Sequence, residues 1–193
     1  MAANAPGPTI VTNVIQDPNV IVKDERVLDH FEQQLAGEKI TCLLLNQDLE
    51  DHDITSIYLG TEVMGVNLTK DSDLAKEDKL WFKSLSGKTI LSPYNIGFWE
   101  QLYHDNIPNA NIIFQSDSTE YSTLLNYSSL PYFTTNLTQF SQWGLNLPGD
   151  RIFKPLEDKV AKQQFYACFL KKNRDRLMPV IEEIQEKWEE ADE

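Results

Sequence analysis

The residues best placed to do chemistry are polar groups at the ends of apolar runs. Lys88-Thr89-Ile90-Leu91 reads as a buried strand that runs straight into the polar turn Ser92-Pro93-Tyr94-Asn95-Ile96-Gly97. A strand that delivers hydroxyls and free backbone N–H groups to a helix start is how α/β proteins hold small polar ligands, carboxylates among them. Ser92, Pro93, Tyr94 and Asn95 are therefore binding candidates, and Ser and Asn are equally ordinary caps of the helix that follows. Thr134 and Thr135 stand at the mouth of a second strand-to-turn transition, Leu130-Pro131-Tyr132-Phe133-Thr134-Thr135, with the same two readings. Asp24, Glu25 and Arg26 open a helix, where two acids suit the helix dipole and need no ligand to explain them.

Catalytic groupings are weaker. Asp51-His52-Asp53 has the residue types of a metal or acid/base cluster, yet neighbours in a polar loop point in different directions, and His30 and His104 are remote in sequence. Cys42 and Cys168 each sit in an apolar, strand-like run, where a thiol behaves as a small hydrophobe, and two such cysteines make neither a disulfide framework nor a metal site. The chain has no G-x-S-x-G elbow, no P-loop and no dinucleotide fingerprint. The expectation is a binding protein, not an enzyme, with no cofactor and no metal.

These candidates need elements to position them. Val20-Ile21-Val22 reads as a short strand; a helix with Val27, Leu28, Phe31 and Leu35 on its apolar face follows and ends at Gly37. Lys39 to Leu45 is a continuous apolar strand of the kind buried on both faces of a parallel sheet, which gives a strand, helix, strand unit. Ser56 to Leu59 and Glu62 to Leu68 read as extended segments. Past the Ser92 turn come a helix from Gly97 to His104, a strand Asn111 to Gln115, and a helix from Thr119 to Asn126 capped by Ser116-Asp117-Ser118. Arg151 to Leu156 is extended, Gln163 to Leu170 is a strand, and Arg174 to about Glu190 is a closing helix. Phe98, Trp99, Tyr103, Phe140, Trp143 and Trp188 are core or interface aromatics; Trp99 and Tyr103 share a helix face.

This alternation points to α/β architecture, and two extended crossings, near Ser56 to Leu68 and near Asp150 to Leu156, predict a hinged, two-lobed body with a ligand cleft. The 193 residues suffice for one large domain or two small lobes. A net charge of −13 argues against a nucleic-acid surface, which needs clustered Lys and Arg. No apolar run approaches the roughly 20 residues that span a bilayer. The first eight residues lack the blocks of a secretory signal, so a cytoplasmic location with no membrane partner is expected.

The order of segments resembles the effector-binding domain of LysR-type transcriptional regulators. The matching residues are Pro18-Asn19-Val20-Ile21-Val22, the helix Val27 to Leu35, Gly37 to Leu45, Asp71-Ser72-Asp73-Leu74-Ala75, and Phe82-Lys83-Ser84-Leu85-Ser86-Gly87-Lys88-Thr89-Ile90-Leu91. They run in family order over about residues 18 to 188. Two departures stand out: Tyr127-Ser128-Ser129 replaces the usual Gly-x-Gly ahead of Leu130-Pro131, and few residues precede residue 18 where the family's opening strand and helix belong.

The resemblance implies a two-lobed, type 2 periplasmic-binding-protein-like fold, with residues 1–17 an extension or remnant, 18–60 plus 155–193 lobe I, and 61–154 lobe II. It implies an effector-sensing and dimerisation domain, a small polar metabolite in the interlobe cleft, a homodimer, and DNA contact only through a helix-turn-helix that this chain does not contain. It also places Ser92 to Asn95 and Thr134 to Thr135 at the cleft, and Asp24 to Arg26 at the helix start where relatives meet their effector. A stand-alone solute-binding protein of the same fold is the alternative.

Overall fold

A computed structural model describes residues 25–49, 51–94, 96, 98–138 and 149–192, with Glu25, Arg26, Val27, Phe98 and Asp192 described by their backbone alone. The strand expected at Val20 to Val22, and the candidates Asp24 and Asn95, lie outside the described residues. Five α-helices of four to nineteen residues and seven strands alternate along the described chain. The strands form one seven-stranded sheet in the order β1-β7-β2-β5-β3-β4, with β6 also paired to β2.

The strand β2, Ile54–Thr69, organises everything else. Its first part pairs antiparallel with β7, Lys162–Leu170, from Ile54 opposite Leu170 to Val63 opposite Lys162. Its last part pairs antiparallel with β5, Tyr132–Thr135, and with β6, Arg151–Pro155. The two segments expected around Gly60 are thus one strand of 16 residues, broken only by a register shift between Tyr58 and Gly60. The unpaired Leu59 adds local twist there, as a bulge does. Beyond β5 the sheet becomes parallel: β3, Thr89–Pro93, lies between β5 and β4, Asn111–Gln115, and is parallel to both.

Both halves of the sheet are covered on two faces, and side-chain alternation shows how. In β7, Cys168 faces the helix α1, Glu25–Ala36, and packs with Leu35, Leu49 and Ile54, whereas Ala167 and Phe169 face the closing helix α5, Arg174–Asp192, with Ile181 and Trp188. In the other half, Ile90 and Phe133 face the helix α3, Phe98–Asn106, while Leu91 and Tyr132 face α4, Ser118–Tyr127, with Tyr121 and Leu125. The short helix α2, Asp73–Lys76, is capped by the Ser72 hydroxyl, which accepts from Ala75 N. Asp117 caps α4 by accepting from Thr119 N and Glu120 N.

One expectation is corrected. Lys39 to Leu45 is not a strand buried on both faces: β1 is Leu43–Leu45, it pairs antiparallel with β7, and Leu44 is 54% exposed. The cause lies at the end of α1. Glu38 takes a left-handed conformation (φ 54°), and the N–H groups of Gly37, Lys39 and Ile40 all bond back to the carbonyls of Gln33 and Gln34. That return turn uses the first residues of the apolar run, and Ile40 packs against the cluster beneath α1 instead of joining the sheet. Among the described residues, no helix is long and apolar enough to cross a membrane.

Candidate functional site

Where β2 leaves β7 for β5, its backbone is clamped from both sides. The Asn136 side chain continues the ladder: its Oδ1 accepts from Val63 N at 2.9 Å and its Nδ2 donates to Thr61 O at 3.0 Å. Trp188 Nε1 of α5 also donates to Thr61 O, at 3.0 Å, so that one carbonyl receives a donor from each half of the molecule. Gly60 makes the approach possible, because a Cβ there would lie 2.3 Å from Trp188 Cγ. Glu62 is the residue held between these anchors.

Glu62 lines a cleft of about 220 Å³. Glu62 and Met64 face it from alternate positions of β2, Trp99 and Tyr103 from successive turns of α3, and Phe133 and Thr135 from alternate positions of β5. Pro93, Ile96 and Leu137 with the hydroxyl residues Thr134 and Thr138 complete its rim. Tyr103 stacks on Phe133 with ring centroids 3.9 Å apart and planes at 14°, which makes one rigid wall. The Glu62 carboxylate is half-buried; loss of hydration pushes its pKa up, and hydrogen bonds from Thr135 and Trp99 pull it partly back. Tyr103, wholly enclosed and hydrogen-bonded to Ser92, has its phenol pushed above the usual range by the same loss of water.

The structure distributes the sequence candidates unevenly. Pro93, Thr134 and Thr135 line the cleft. Ser92 belongs to β3, is fully buried, and donates to Pro93 O at 3.1 Å, so its hydroxyl works inside the protein. Tyr94 is 56% exposed, lies edge-on to Phe114, and is outside the cleft lining. The Thr134 hydroxyl accepts from Asn67 Nδ2 at 2.5 Å, and Thr135 N donates to Thr138 Oγ1 at 2.7 Å. Glu25 and Arg26 start α1, on the far half of the sheet.

Neither Glu62 nor Trp99 stands out in the sequence as a ligand group. The available signal for Glu62 was an acid inside an apolar strand, Glu62-Val63-Met64, and for Trp99 its shared helix face with Tyr103.

A second hollow, about 580 Å³, lies between α1 and residues 51–54, bordered by Asp29, Glu32, Asp51, Asp53 and Lys172. Partial burial, then Asp51 and Asp29, raise the Glu32 pKa. Lys172 is already engaged by Glu38 at 2.5 Å, and Lys171 by the His52 carbonyl. His52 and Asp53 pair with each other at 2.9 Å on the surface. Among the described residues, no three His, Cys, Asp or Glu side chains converge as metal ligands. Burial pushes the half-buried Cys42 thiol up to about 11 and raises that of Cys168, which keeps both protonated and weakly nucleophilic.

No protein-family model matches the sequence, and no curated protein matches it. Solved structures do match. The chain is similar to the reduced regulatory domain of OxyR from Pseudomonas aeruginosa (TM-score 0.54, 11% identity), over 81% of this chain and 78% of that one. It is similar to the regulatory domain of MetR, a LysR family regulator from N. meningitidis (0.55, 12%), over 80% and 73%. It is also similar to the effector-binding domain of BenM with its effector benzoate (0.54, 14%), over 82% and 73%. Of full-length BenM the matched part is 54%. The chain therefore has the two-lobed, type 2 periplasmic-binding-protein-like fold, in the form seen in LysR effector-binding domains.

Proposed function

We propose that the chain is the effector-sensing and dimerisation domain of a LysR-type transcriptional regulator, and that a small polar metabolite binds in the cleft beside Glu62. The observation that carries this is the position of the cleft. It opens where β2 passes from one half of the sheet to the other, between walls from β2, β3, β5 and α3. A ligand there would lie against Glu62 and Met64, at the point where β2 passes from its pairing with β7 to its pairing with β5. Binding that favours one relative setting of the two parts shifts their equilibrium. In a homodimer the same shift alters how helix-turn-helix segments, carried outside the sequence described here, sit on DNA. The proposed role is recognition and not catalysis.

The test is a thermal-shift screen of the chain against amino acids, sugars, organic acids and amines. A ligand at a hundred times its dissociation constant adds about 2.7 kcal/mol to stability. A compound that raises the melting temperature, with the gain reduced in Thr135→Val, supports the reading. No stabilising compound in any class contradicts it.

A further inference from the structure

The walls of the cleft carry one sign of charge. Glu62 is its ionisable carboxylate, and no Lys, Arg or His is among its described lining residues. A half-buried carboxylate without a countercharge is unfavourable unless hydrogen bonds or a bound cation compensate it. Here the hydrogen bonds come from two neutral donors, the Thr135 hydroxyl and the Trp99 indole. A carboxylate has about four lone-pair sites, so two donors leave it capacity for a charged third.

The remaining walls suit the same kind of guest. Trp99, Tyr103 and Phe133 also line the cleft; Tyr103 and Phe133 cover each other's faces, which leaves Trp99, the ring type that attracts ammonium groups most strongly, as the aromatic partner of such a guest. An anionic guest would meet the Glu62 carboxylate at close range, in a chain of net charge −13. The Thr134 hydroxyl already receives the Asn67 amide, which leaves the carboxylate as the strongest acceptor facing the space. At about 220 Å³ the cleft falls below the roughly 300 Å³ at which drug-sized pockets begin, so the guest is small.

We propose that the ligand of this cleft is a small organic cation, whose ammonium group lodges against the Glu62 carboxylate beside the Trp99 ring. This rests on the reading of the cleft as the effector site and narrows it to one class of compound.

The experiment uses the full chain and four size-matched probes: butylamine, tetramethylammonium, butanol and butyrate. Binding is followed by calorimetry and by the indole N–H resonance of Trp99, assigned with Trp99→Phe. The expected result is saturable binding of at least one of the two cations, a shift of the Trp99 indole signal, and at least tenfold weaker binding in Glu62→Gln. The indole shift is read in the unaltered protein, so the result does not depend on how the variant folds. Butyrate or butanol binding as well as the cations, or cations binding equally well to Glu62→Gln, overturns the cation assignment and leaves the effector-site reading in place. Silence from all four probes, alongside a metabolite screen that yields a neutral or anionic ligand shifting the same indole, also overturns the cation assignment alone. Silence from the probes and from the whole screen overturns both.

Discussion

At the scale of single residues, Glu62 and Arg151 decide the most. Glu62 holds its proton more tightly in the folded protein than in the unfolded chain, because burial raises its pKa. The folded state then binds more protons across the window from the ordinary carboxylate range up to the folded value, so stability falls as pH rises through that window. Above the window the ionised carboxylate is a liability that an amide lacks. Glu62→Gln is therefore expected to melt higher than the unaltered protein at about pH 7, with the difference shrinking as the pH is lowered to about 4. Melting curves of both proteins across that range check it, and a lower melting temperature for the variant at neutral pH would contradict it.

Arg151 acts as a staple. Its guanidinium donates to Leu130 O at 2.6 Å, to Leu125 O at 3.2 Å and to Ser128 O, and it lies 5.0 Å from the centre of the Tyr132 ring. It thereby closes the end of α4 and fixes the link to β5 through Tyr127-Ser128-Ser129. Arg151→Ala leaves those carbonyls without their partner and removes the ring contact, a loss of about 3 kcal/mol. Denaturant unfolding measures this directly; a change under about 0.5 kcal/mol would show that water replaces the guanidinium at no cost.

At the scale of elements, β2 is the piece on which the two halves depend, and Gly60 is its tightest point. An added Cβ would meet Trp188 Cγ at 2.3 Å, whereas at Gly149 it would meet nothing within 4 Å. Gly60→Ala should destabilise by about 1–3 kcal/mol through overpacking. Gly149→Ala should leave stability within about 0.5 kcal/mol of the original. Equal effects in the two variants would remove Trp188 as the reason for a glycine at position 60.

Helices and strands with a local signature were legible in the sequence: the Asp117 cap, the Leu28, Phe31 and Leu35 face of α1, and the strand Asn111–Gln115. Elements set by distant partners were not. The run Lys39 to Leu45 has the composition of a central strand, and the turn at Glu38 leaves only three of its residues in the sheet. The same holds for the cleft. Pro93, Thr134 and Thr135 were readable because polar groups at strand ends are conspicuous. Glu62 was not, since its burial depends on Trp99 and Thr135, which lie 37 and 73 positions further along the chain. Ser92 shows the converse, a residue of suggestive type whose hydroxyl is engaged inside the protein by Pro93 O and Tyr103.

At the scale of the molecule, a single strand joins an antiparallel half to a mixed half, each covered by helices on both faces. On the proposed reading, a small ligand bound where that strand changes partners biases the relation between the two halves. A homodimer follows from the proposed role, and sedimentation equilibrium should give twice the 22.2 kDa chain mass. A single monomeric species at micromolar concentration would detach dimerisation from the proposal.

The most direct measurement is a crystal structure of the chain with whichever compound stabilises it. The account predicts ligand density in the 220 Å³ cleft, in contact with Glu62, Trp99 and Thr135. Density instead in the 580 Å³ hollow between α1 and residues 51–54, with the Glu62 cleft unchanged, would contradict it.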